Sequence, residues 1–475
     1  MFFHLFTLGC KVNQYETEFV RTALLLNGYT EADNGEAGEG TIADLVIVNT
    51  CTVTAESEAK SRKAIRKLVS EHPGAQVVVM GCAATHQPDA MLQIGGVSQV
   101  ITDKEQIPAL IQQLSLRQLG LTTLPKGIAS FGDRHRAFIK IQDGCQVGCA
   151  YCIIPKVRPV LRSRPIEEVL PEIQTLARNG YREIVLTGIH LGHYGVDLDG
   201  ISPDGRLPTA GRQPTVLRTR NCWSAIVDAT DRRSVAYLNN RLPSQLSGGQ
   251  LPTNEHITLT TLLRRAVDLP EEFRIRLSSL EAVEVTDELI DLMLRYPDRI
   301  CPHLHLSMQS GSDAVLRRMK RRWLSEPFVR RCEEILSRFD RLALTTDVIV
   351  GFPGETAEQF DETCQIVERL RFSKVHVFRF SPREGTEAAT LPNRVPPSEQ
   401  KRRSAILTGL ADKLRSNFAA SLVGSVATVL LETPISGTCG HYLDVRLNQP
   451  AEAGTLVDVN IERSEGDVCF GETRD

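Results

Sequence analysis

Three cysteines within eight residues are the part of this 475-residue chain best suited to do chemistry. Cys145, Cys149 and Cys152 follow the pattern C-x3-C-x2-C. Soft thiolate sulfurs are the usual ligands of iron–sulfur clusters, so the triplet can hold three corners of a four-iron cluster. The next cysteine, Cys222, is too distant to be an obvious fourth local ligand. The spacing therefore predicts a cluster with one iron open to a small molecule.

Other cysteine sites fit this spacing less well. A structural zinc site usually needs two C-x2-C-like pairs about 15–20 residues apart, and no second pair follows the triplet. A two-cluster ferredoxin has the run C-x2-C-x2-C-x3-C-P, whose spacing differs. With Tyr151 directly before its last cysteine, the triplet resembles the signature of radical S-adenosylmethionine enzymes. That resemblance implies an open iron that binds the amino and carboxylate groups of S-adenosylmethionine, which is cleaved to a 5′-deoxyadenosyl radical.

Three more cysteines lie in residues 1–120, which we predict to form an N-terminal α/β sheet domain. The predicted strands are residues 2–8, 45–48 and 77–80, and the predicted helices are residues 16–27 and 57–69. Cys10, Cys51 and Cys82 each follow one of these strands, 41 and 31 residues apart. Strand ends in α/β sheets converge on one crevice, so the three thiols could meet in space. Ordinary buried cysteines are the alternative, but beside the downstream triplet we expect a second cluster.

Residues 131–396 repeat strand and helix, which predicts a partial (β/α)6 barrel with its chemistry at the C-terminal strand ends. The predicted strands are residues 137–142, 183–187, 273–279, 303–308, 342–350 and 375–380. The predicted helices are residues 166–177, 287–294, 328–339 and 357–370. The cysteine triplet follows the first strand, at the edge where chemistry is expected. Residues 199–255 lack periodicity and are predicted to be a surface insertion.

The end of the chain changes character. Residues 397–421 are predicted to be a linker helix. Residues 422–475 are predicted to form a small all-β barrel, with strands at 425–431, 442–447 and 456–463. This last segment holds nine Asp or Glu and three Arg, so it cannot bind RNA through net charge.

The composition places no part of the chain in a membrane. It is 41% hydrophobic and 24% charged, as in soluble globular proteins. The sequence has no run of about 18 apolar residues and no secretory signal. Twelve cysteines in so long a chain predict reduced thiols and a cytoplasmic protein. With a net charge of −3, any nucleic-acid surface must be local.

The order of these three parts resembles the methylthiotransferases. The run Gly9-Cys10-Lys11-Val12-Asn13-Gln14-Tyr15-Glu16, then Asn49-Thr50-Cys51 and Gly81-Cys82, resembles their N-terminal domain. The centre resembles the radical S-adenosylmethionine barrel, and the C-terminus resembles the TRAM domain, an RNA-associated small barrel. The sequence around Cys10 is similar to that of the branch acting on N6-threonylcarbamoyladenosine in tRNA. The resemblance implies conversion of that nucleoside, at position 37 next to the anticodon, to its 2-methylthio derivative by radical C–H to C–S chemistry.

The same resemblance implies two 4Fe-4S clusters and S-adenosylmethionine. Cys145, Cys149 and Cys152 would bind the catalytic radical cluster, and Cys10, Cys51 and Cys82 the auxiliary one. The implied cofactor-binding residues are Tyr151, Thr187, Gly188, Ser279, Glu281, Gln309, Ser310 and Ile349. One S-adenosylmethionine would yield the radical that takes hydrogen from carbon 2 of the adenine, and another the methyl group. The implied partners are tRNA, an electron donor such as flavodoxin or ferredoxin, and a sulfur source.

Two basic runs are candidates for binding the tRNA phosphates. They are Arg317, Arg318, Lys320, Arg321 and Arg322 in one segment, and Lys60, Lys63 and Lys67 on a predicted helix. A solvated surface without a ligand is the alternative for both.

Other functions also stay open. The substrate could be isopentenyladenosine in tRNA or an aspartate of a ribosomal protein, and a non-catalytic iron–sulfur or zinc module that binds RNA is a further class. The loop after the triplet departs from the family pattern, because Pro159 follows Arg158 where the family usually has glycine. Proline fixes φ, so a different local loop is expected.

Overall fold

The computed structural model describes residues 1–32, 41–103, 109–110, 124–132, 134–198 and 256–474. The predicted insertion at 199–255 lies outside these residues. Among them, no helix is both long and apolar enough to cross a membrane.

The N-terminal part is a five-stranded parallel sheet. In spatial order its strands are Thr30–Glu31, Phe2–Thr7, Leu45–Thr50, Gln76–Gly81 and Val97–Val100. Helices Lys11–Leu26, Ala55–Glu71, Cys82–His86 and Pro88–Leu92 accompany them. The central strand Leu45–Thr50 is buried throughout because apolar clusters cover both faces of the sheet, as parallel sheets require. The α/β prediction is confirmed.

The centre is the predicted partial barrel of parallel strands. The strands are Arg136–Lys140, Glu183–Thr187, Arg274–Leu277 with Ser279–Leu280, His303–Leu306, Ala343–Val350 and Lys374–Arg379. The longer helices are Ile166–Arg178, Leu259–Val267, Asp287–Arg295, Ser325–Arg338 and Ala357–Leu370. The chain between 274 and 280 joins a three-stranded to a four-stranded sheet. Among the described residues, no pairing joins the first strand to the last, so the barrel is open.

Helix Lys11–Leu26 fixes the N-terminal sheet to the barrel. It packs on the barrel's edge strand Arg136–Lys140, and its Tyr15 and Phe19 belong to the barrel core. The Tyr15 hydroxyl donates to Glu172 Oε1 at 3.0 Å. The N-cap of this helix, Cys10, is thereby held beside the barrel.

The C-terminal part is a linker helix, Pro397–Ser421, and a closed five-stranded barrel. The strands are Val426–Thr433, Ser436–Cys439, Asp444–Leu447, Leu456–Glu465 and Val468–Thr473. The sequence predicted three of the five and missed Ser436–Cys439 and Val468–Thr473, each of which contains a glycine. Arg274 and Arg276 of the central barrel donate to carbonyl groups of this small barrel, at 2.7 Å to Thr428 and 2.9 Å to Gly440.

Candidate active site

The cysteine triplet forms a tight loop after the first barrel strand. Gly144 has φ +79°, and a Cβ added there would lie 1.9 Å from the Val160 carbonyl oxygen, so only glycine fits. The Cys145 N–H donates to the Arg158 carbonyl at 3.1 Å. The three thiols are free and partly exposed. Burial, together with the neighbouring thiols of Cys149 and Cys145, raises the pKa of Cys152 to about 12. Three sulfurs gathered in this way are the donor set of a four-iron cluster with one open iron.

Two charged side chains touch the sulfurs of this loop, and the sequence did not identify either as a sulfur contact. His190 Nδ1 lies 3.6 Å from Cys145 Sγ, and its Nε2 lies 2.5 Å from Glu284 Oε1. Although burial opposes it, the bonds to Cys145 and Glu284 raise the pKa of His190 to about 9. Arg321 Nη1 lies 3.7 Å from Cys149 Sγ. Both groups can donate toward sulfur, as outer ligands of metal sites do.

Several of the predicted cofactor residues come together above the strand ends. Tyr151 and Ile349 pack against one apolar cluster that includes Phe352. Glu281 accepts hydrogen bonds from Arg321 and, at 3.2 Å, from the Trp323 indole. The sequence did not point to Trp323, since a lone aromatic residue outside a motif carries no signal.

The other predicted cofactor residues mainly shape the backbone. Gly188 lies against Gln142, whose Oε1 would be 2.9 Å from an added Cβ. The Thr187 carbonyl accepts from the Ile141 N–H at 2.9 Å. Gln309 adopts φ +69° and its N–H donates to the Asp347 carbonyl at 2.9 Å.

Ser279 and Ser310 differ in their surroundings. Ser279 is exposed, at a strand end paired with His305. Ser310 is fully buried, and its hydroxyl lies 3.3 Å from that of Thr363 on helix Ala357–Leu370. Ser310 therefore belongs to the packing of that helix.

The structure also brings Cys10, Cys51 and Cys82 together. Each follows a strand of the N-terminal sheet, and their thiols interact electrostatically. A Cβ added at Gly9 would lie 3.3 Å from Cys51 Sγ, which shows how closely the chain before Cys10 approaches Cys51. Burial raises the pKa of all three thiols. The donor set fits a second cluster held by three cysteines.

Arg158 connects the two sets of cysteines. Its carbonyl accepts from Cys145 N–H, and its Nε lies 3.5 Å from Cys82 Sγ. The guanidinium also donates to Glu16 Oε1 at 2.9 Å, Asp143 Oδ1 at 2.7 Å and Asn13 Oδ1 at 2.9 Å. Its side chain is only 2% exposed. One residue thus holds the loop of the cysteine triplet against the N-terminal sheet.

The two basic runs differ in how much of their charge faces solvent. Lys60, Lys63 and Lys67 are exposed on helix Ala55–Glu71, where Lys60 pairs with Glu56 at 2.8 Å. In the other run Arg317, Lys320 and Arg322 are exposed.

Two arginines of that run are not available to a phosphate. The Arg321 side chain is 6% exposed, and its guanidinium pairs with Glu281 and touches Cys149. Arg318 is partly buried and donates to Gln359 at 2.8 Å. Of the five basic residues predicted to contact phosphates in this run, Arg318 and Arg321 are therefore engaged within the protein, and Arg321 faces the cysteine triplet.

Comparisons with known proteins agree with this arrangement. Residues 3–102 match the family described as Uncharacterized protein family UPF0004, and residues 139–216 and 245–367 match the Radical SAM superfamily. The threonylcarbamoyladenosine tRNA methylthiotransferase MtaB of Bacillus subtilis is 35% identical, over 91% of this chain and 85% of that protein. The protein of that name from Thermotoga maritima is 34% identical, over 90% of this chain and 85% of that protein.

A relative with a different substrate in its name also matches. It is the tRNA-2-methylthio-N(6)-dimethylallyladenosine synthase 1 of Mycobacterium marinum, 28% identical over 99% of this chain and 82% of that protein. Together with the fold and the cysteine geometry, these findings show that the chain belongs to the radical S-adenosylmethionine methylthiotransferases, enzymes that use a 4Fe-4S cluster and S-adenosylmethionine.

Proposed function

We propose that this protein is a tRNA methylthiotransferase that converts N6-threonylcarbamoyladenosine at position 37, next to the anticodon, to its 2-methylthio derivative. The observation that carries the proposal is the convergence of two cysteine triplets on Arg158, which touches Cys82 and binds the Cys145 N–H. One triplet serves radical formation and the other sulfur donation, so C–S bond formation needs both. The relatives from Bacillus subtilis and Thermotoga maritima support the threonylcarbamoyl substrate.

The cysteines divide the cofactors between them in this proposal. Cys145, Cys149 and Cys152 hold the radical cluster, and Cys10, Cys51 and Cys82 hold a second 4Fe-4S cluster. When bound, these clusters and S-adenosylmethionine supply the radical C–H to C–S chemistry and the methyl group.

The protein's own side chains orient these groups and exclude water. His190 and Arg321 donate toward the sulfurs of Cys145 and Cys149, which fixes both side chains. Tyr151 and Ile349 form an apolar wall at the strand ends. Thr187, Gly188, Ser279, Glu281 and Gln309 supply the remaining contacts to S-adenosylmethionine in this proposal.

The tRNA would bind over the exposed part of the basic runs. The proposed phosphate contacts are Arg317, Lys320, Arg322, Lys60, Lys63 and Lys67. Neutralising two or three of them should weaken tRNA binding and flatten its salt dependence by roughly one unit of log–log slope per lost contact. An electron donor such as flavodoxin or ferredoxin and a sulfur source complete the partners, and a tRNA substrate implies work in the cytoplasm.

Anaerobic reconstitution tests the assignment. The protein, loaded with iron and sulfide and reduced chemically, is given S-adenosylmethionine together with tRNA carrying threonylcarbamoyladenosine or isopentenyladenosine, or with a ribosomal protein. Mass spectrometry of the digested products should find a 2-methylthio group on threonylcarbamoyladenosine alone. Modification of either other substrate, with none of threonylcarbamoyladenosine, would overturn the substrate. Zinc in place of iron, with no cleavage of S-adenosylmethionine, would overturn the enzyme class.

A further inference from the structure

Lys11 directs a positive charge into the interior of the open barrel. It directly follows Cys10 and is the first residue of helix Lys11–Leu26, which packs on the barrel's edge strand. Its ammonium group interacts electrostatically with Arg136, Arg276 and Asp347. It also acts on His376. These partners lie on four different barrel strands, so Lys11 faces the space that the strands enclose.

The charge of Lys11 has no partner there. Among the residues that the structure describes, its ammonium group makes no hydrogen bond and no ion pair, and Asp347 and the neighbouring Cys10 act on it only at a distance. Lys11 is partly buried. A charge removed from water is costly unless it is paired, so this position favours an anionic ligand.

The surroundings do not compensate for this charge. Arg136, Arg274 and Arg276 share the single buried carboxylate of Glu183, at 2.6, 2.7 and 2.8 Å. With Lys11 there are four positive groups against two carboxylates, Glu183 and Asp347, an excess of two. If the half-exposed Glu432, 3.4 Å from Arg136, is included, an excess of one remains.

The excess also bears on what else could bind in this interior. The donor atoms of His305, Asp347 and His376 lie within 4.8 Å of one another, which is a possible arrangement for a cation. The neighbouring positive groups oppose a divalent cation and favour an anion.

We propose that Lys11 binds the carboxylate of the threonyl group on the substrate adenosine and thereby selects the substrate by its N6 substituent. This assignment rests on the proposed function. The threonylcarbamoyl group ends in a carboxylate, whereas an isopentenyl group is an uncharged hydrocarbon. Carbons 2 and 6 of adenine both adjoin N1, so the N6 substituent lies near the edge that receives sulfur. Lys11, next to Cys10 of the proposed sulfur-donating set, is placed to meet that substituent.

Substrate and enzyme are altered together to test this role. The substrates are tRNA with threonylcarbamoyladenosine and the same tRNA with the threonyl carboxylate converted to its methyl ester. For the wild-type protein, kcat/KM and tRNA affinity should fall about 10- to 100-fold on esterification, the usual effect of losing a charged hydrogen bond. With the acid substrate, kcat/KM of Lys11→Met should be lower than that of the wild type by a similar factor. Its kcat/KM values for acid and ester should differ less than about twofold, whereas Lys11→Arg should restore part of the preference for the acid.

The controls separate the possible failures. Lys401→Met removes an exposed lysine of the linker helix and should keep the wild-type preference. Iron content and melting temperature report whether Lys11→Met is folded. If Lys11→Met lowers kcat/KM equally for acid and ester, or leaves kcat/KM for the acid unchanged, the role of Lys11 is overturned while the proposed function stands. A wild-type protein that modifies only isopentenyladenosine would overturn both.

Discussion

Removing the Arg158 guanidinium should destabilise the joint between the N-terminal sheet and the barrel. Arg158 and Lys140 face Glu16 and Asp143 in one cluster, so two positive charges balance two negative ones. Arg158→Met leaves one positive against two negative charges. Arg158 and Glu16 are only 2% and 4% exposed, so water screens the surplus charge little. Breaking a buried pair in this way costs about 3–5 kcal/mol.

The second substitution in a double-mutant cycle restores the balance. In Arg158→Met/Glu16→Gln, Lys140 and Asp143 remain as one pair 3.0 Å apart. The double variant should therefore be more stable than Arg158→Met alone, with a coupling energy of about 1–3 kcal/mol. Urea titration of the metal-free proteins, followed by circular dichroism, measures both differences.

The pH dependence of this loss has a definite sign. Although burial alone would raise it, Arg158 and Lys140 hold the pKa of Glu16 below its usual value. The stability that this gives is present above the unfolded pKa of a glutamate and is lost as pH falls through the lowered folded pKa. The difference in unfolding free energy between wild type and Arg158→Met should therefore decrease below about pH 4. If Arg158→Met lowers the unfolding free energy by the same amount in the Glu16→Gln background and at every pH, the ionic explanation is refuted.

Three further predictions concern the cysteine loop, the division of the cofactors and the insertion. Gly144→Ala should abolish iron binding at the triplet because its Cβ would clash with a carbonyl. Gly148→Ala should cost only the strain of positive φ, about 1–2 kcal/mol, because nothing lies within 4 Å of an added Cβ there. The iron content after reconstitution distinguishes the two variants. Cys145→Ala should stop cleavage of S-adenosylmethionine, whereas Cys51→Ala should leave uncoupled cleavage and stop sulfur insertion; loss of cleavage in folded Cys51→Ala would contradict the division. Replacing residues 199–255 by a short Gly/Ser linker should preserve fold and cluster content, since loop closure depends only weakly on length, and loss of soluble protein would show otherwise.

Local sequence patterns were sufficient to predict the repeated strands and helices of this protein. Apolar runs of four to eight residues predicted the buried parallel strands, and strand ends predicted where the cysteines gather. Helix Leu259–Val267 was not predicted, because it directly follows segment 199–255, which has no periodicity and interrupts the repeat of strands and helices. The strand Ser436–Cys439 was not predicted because its sequence, Ser-Gly-Thr-Cys, does not alternate large apolar residues with polar ones.

Side-chain direction in a charged run could not be read from the sequence. Arg321 stands among five basic residues and has the local signature of a solvated surface. In the structure Lys320 adopts φ +54° and the Arg321 N–H bonds back to the Leu316 carbonyl at 2.9 Å. This turn directs the guanidinium toward Glu281, which is 40 residues distant in the chain. A contact between such distant segments depends on the packed barrel and has no local signal.

The loop after the triplet shows why the two cysteine sets have to be considered together. The Arg158 carbonyl binds Cys145 N–H, the Pro159 carbonyl accepts from the Gln146 side chain at 3.2 Å, and the Val160 carbonyl occupies the space beside Gly144. All three contacts use carbonyl groups, so the N–H that proline lacks at 159 is not needed for any of them. The departure from the family's usual glycine is thus compatible with the loop. Because the Arg158 side chain reaches Cys82 from the same loop, the spacing between the two sets is fixed by one short segment. A substrate base placed between a radical source and a sulfur source requires such a fixed spacing, since both must reach the same carbon.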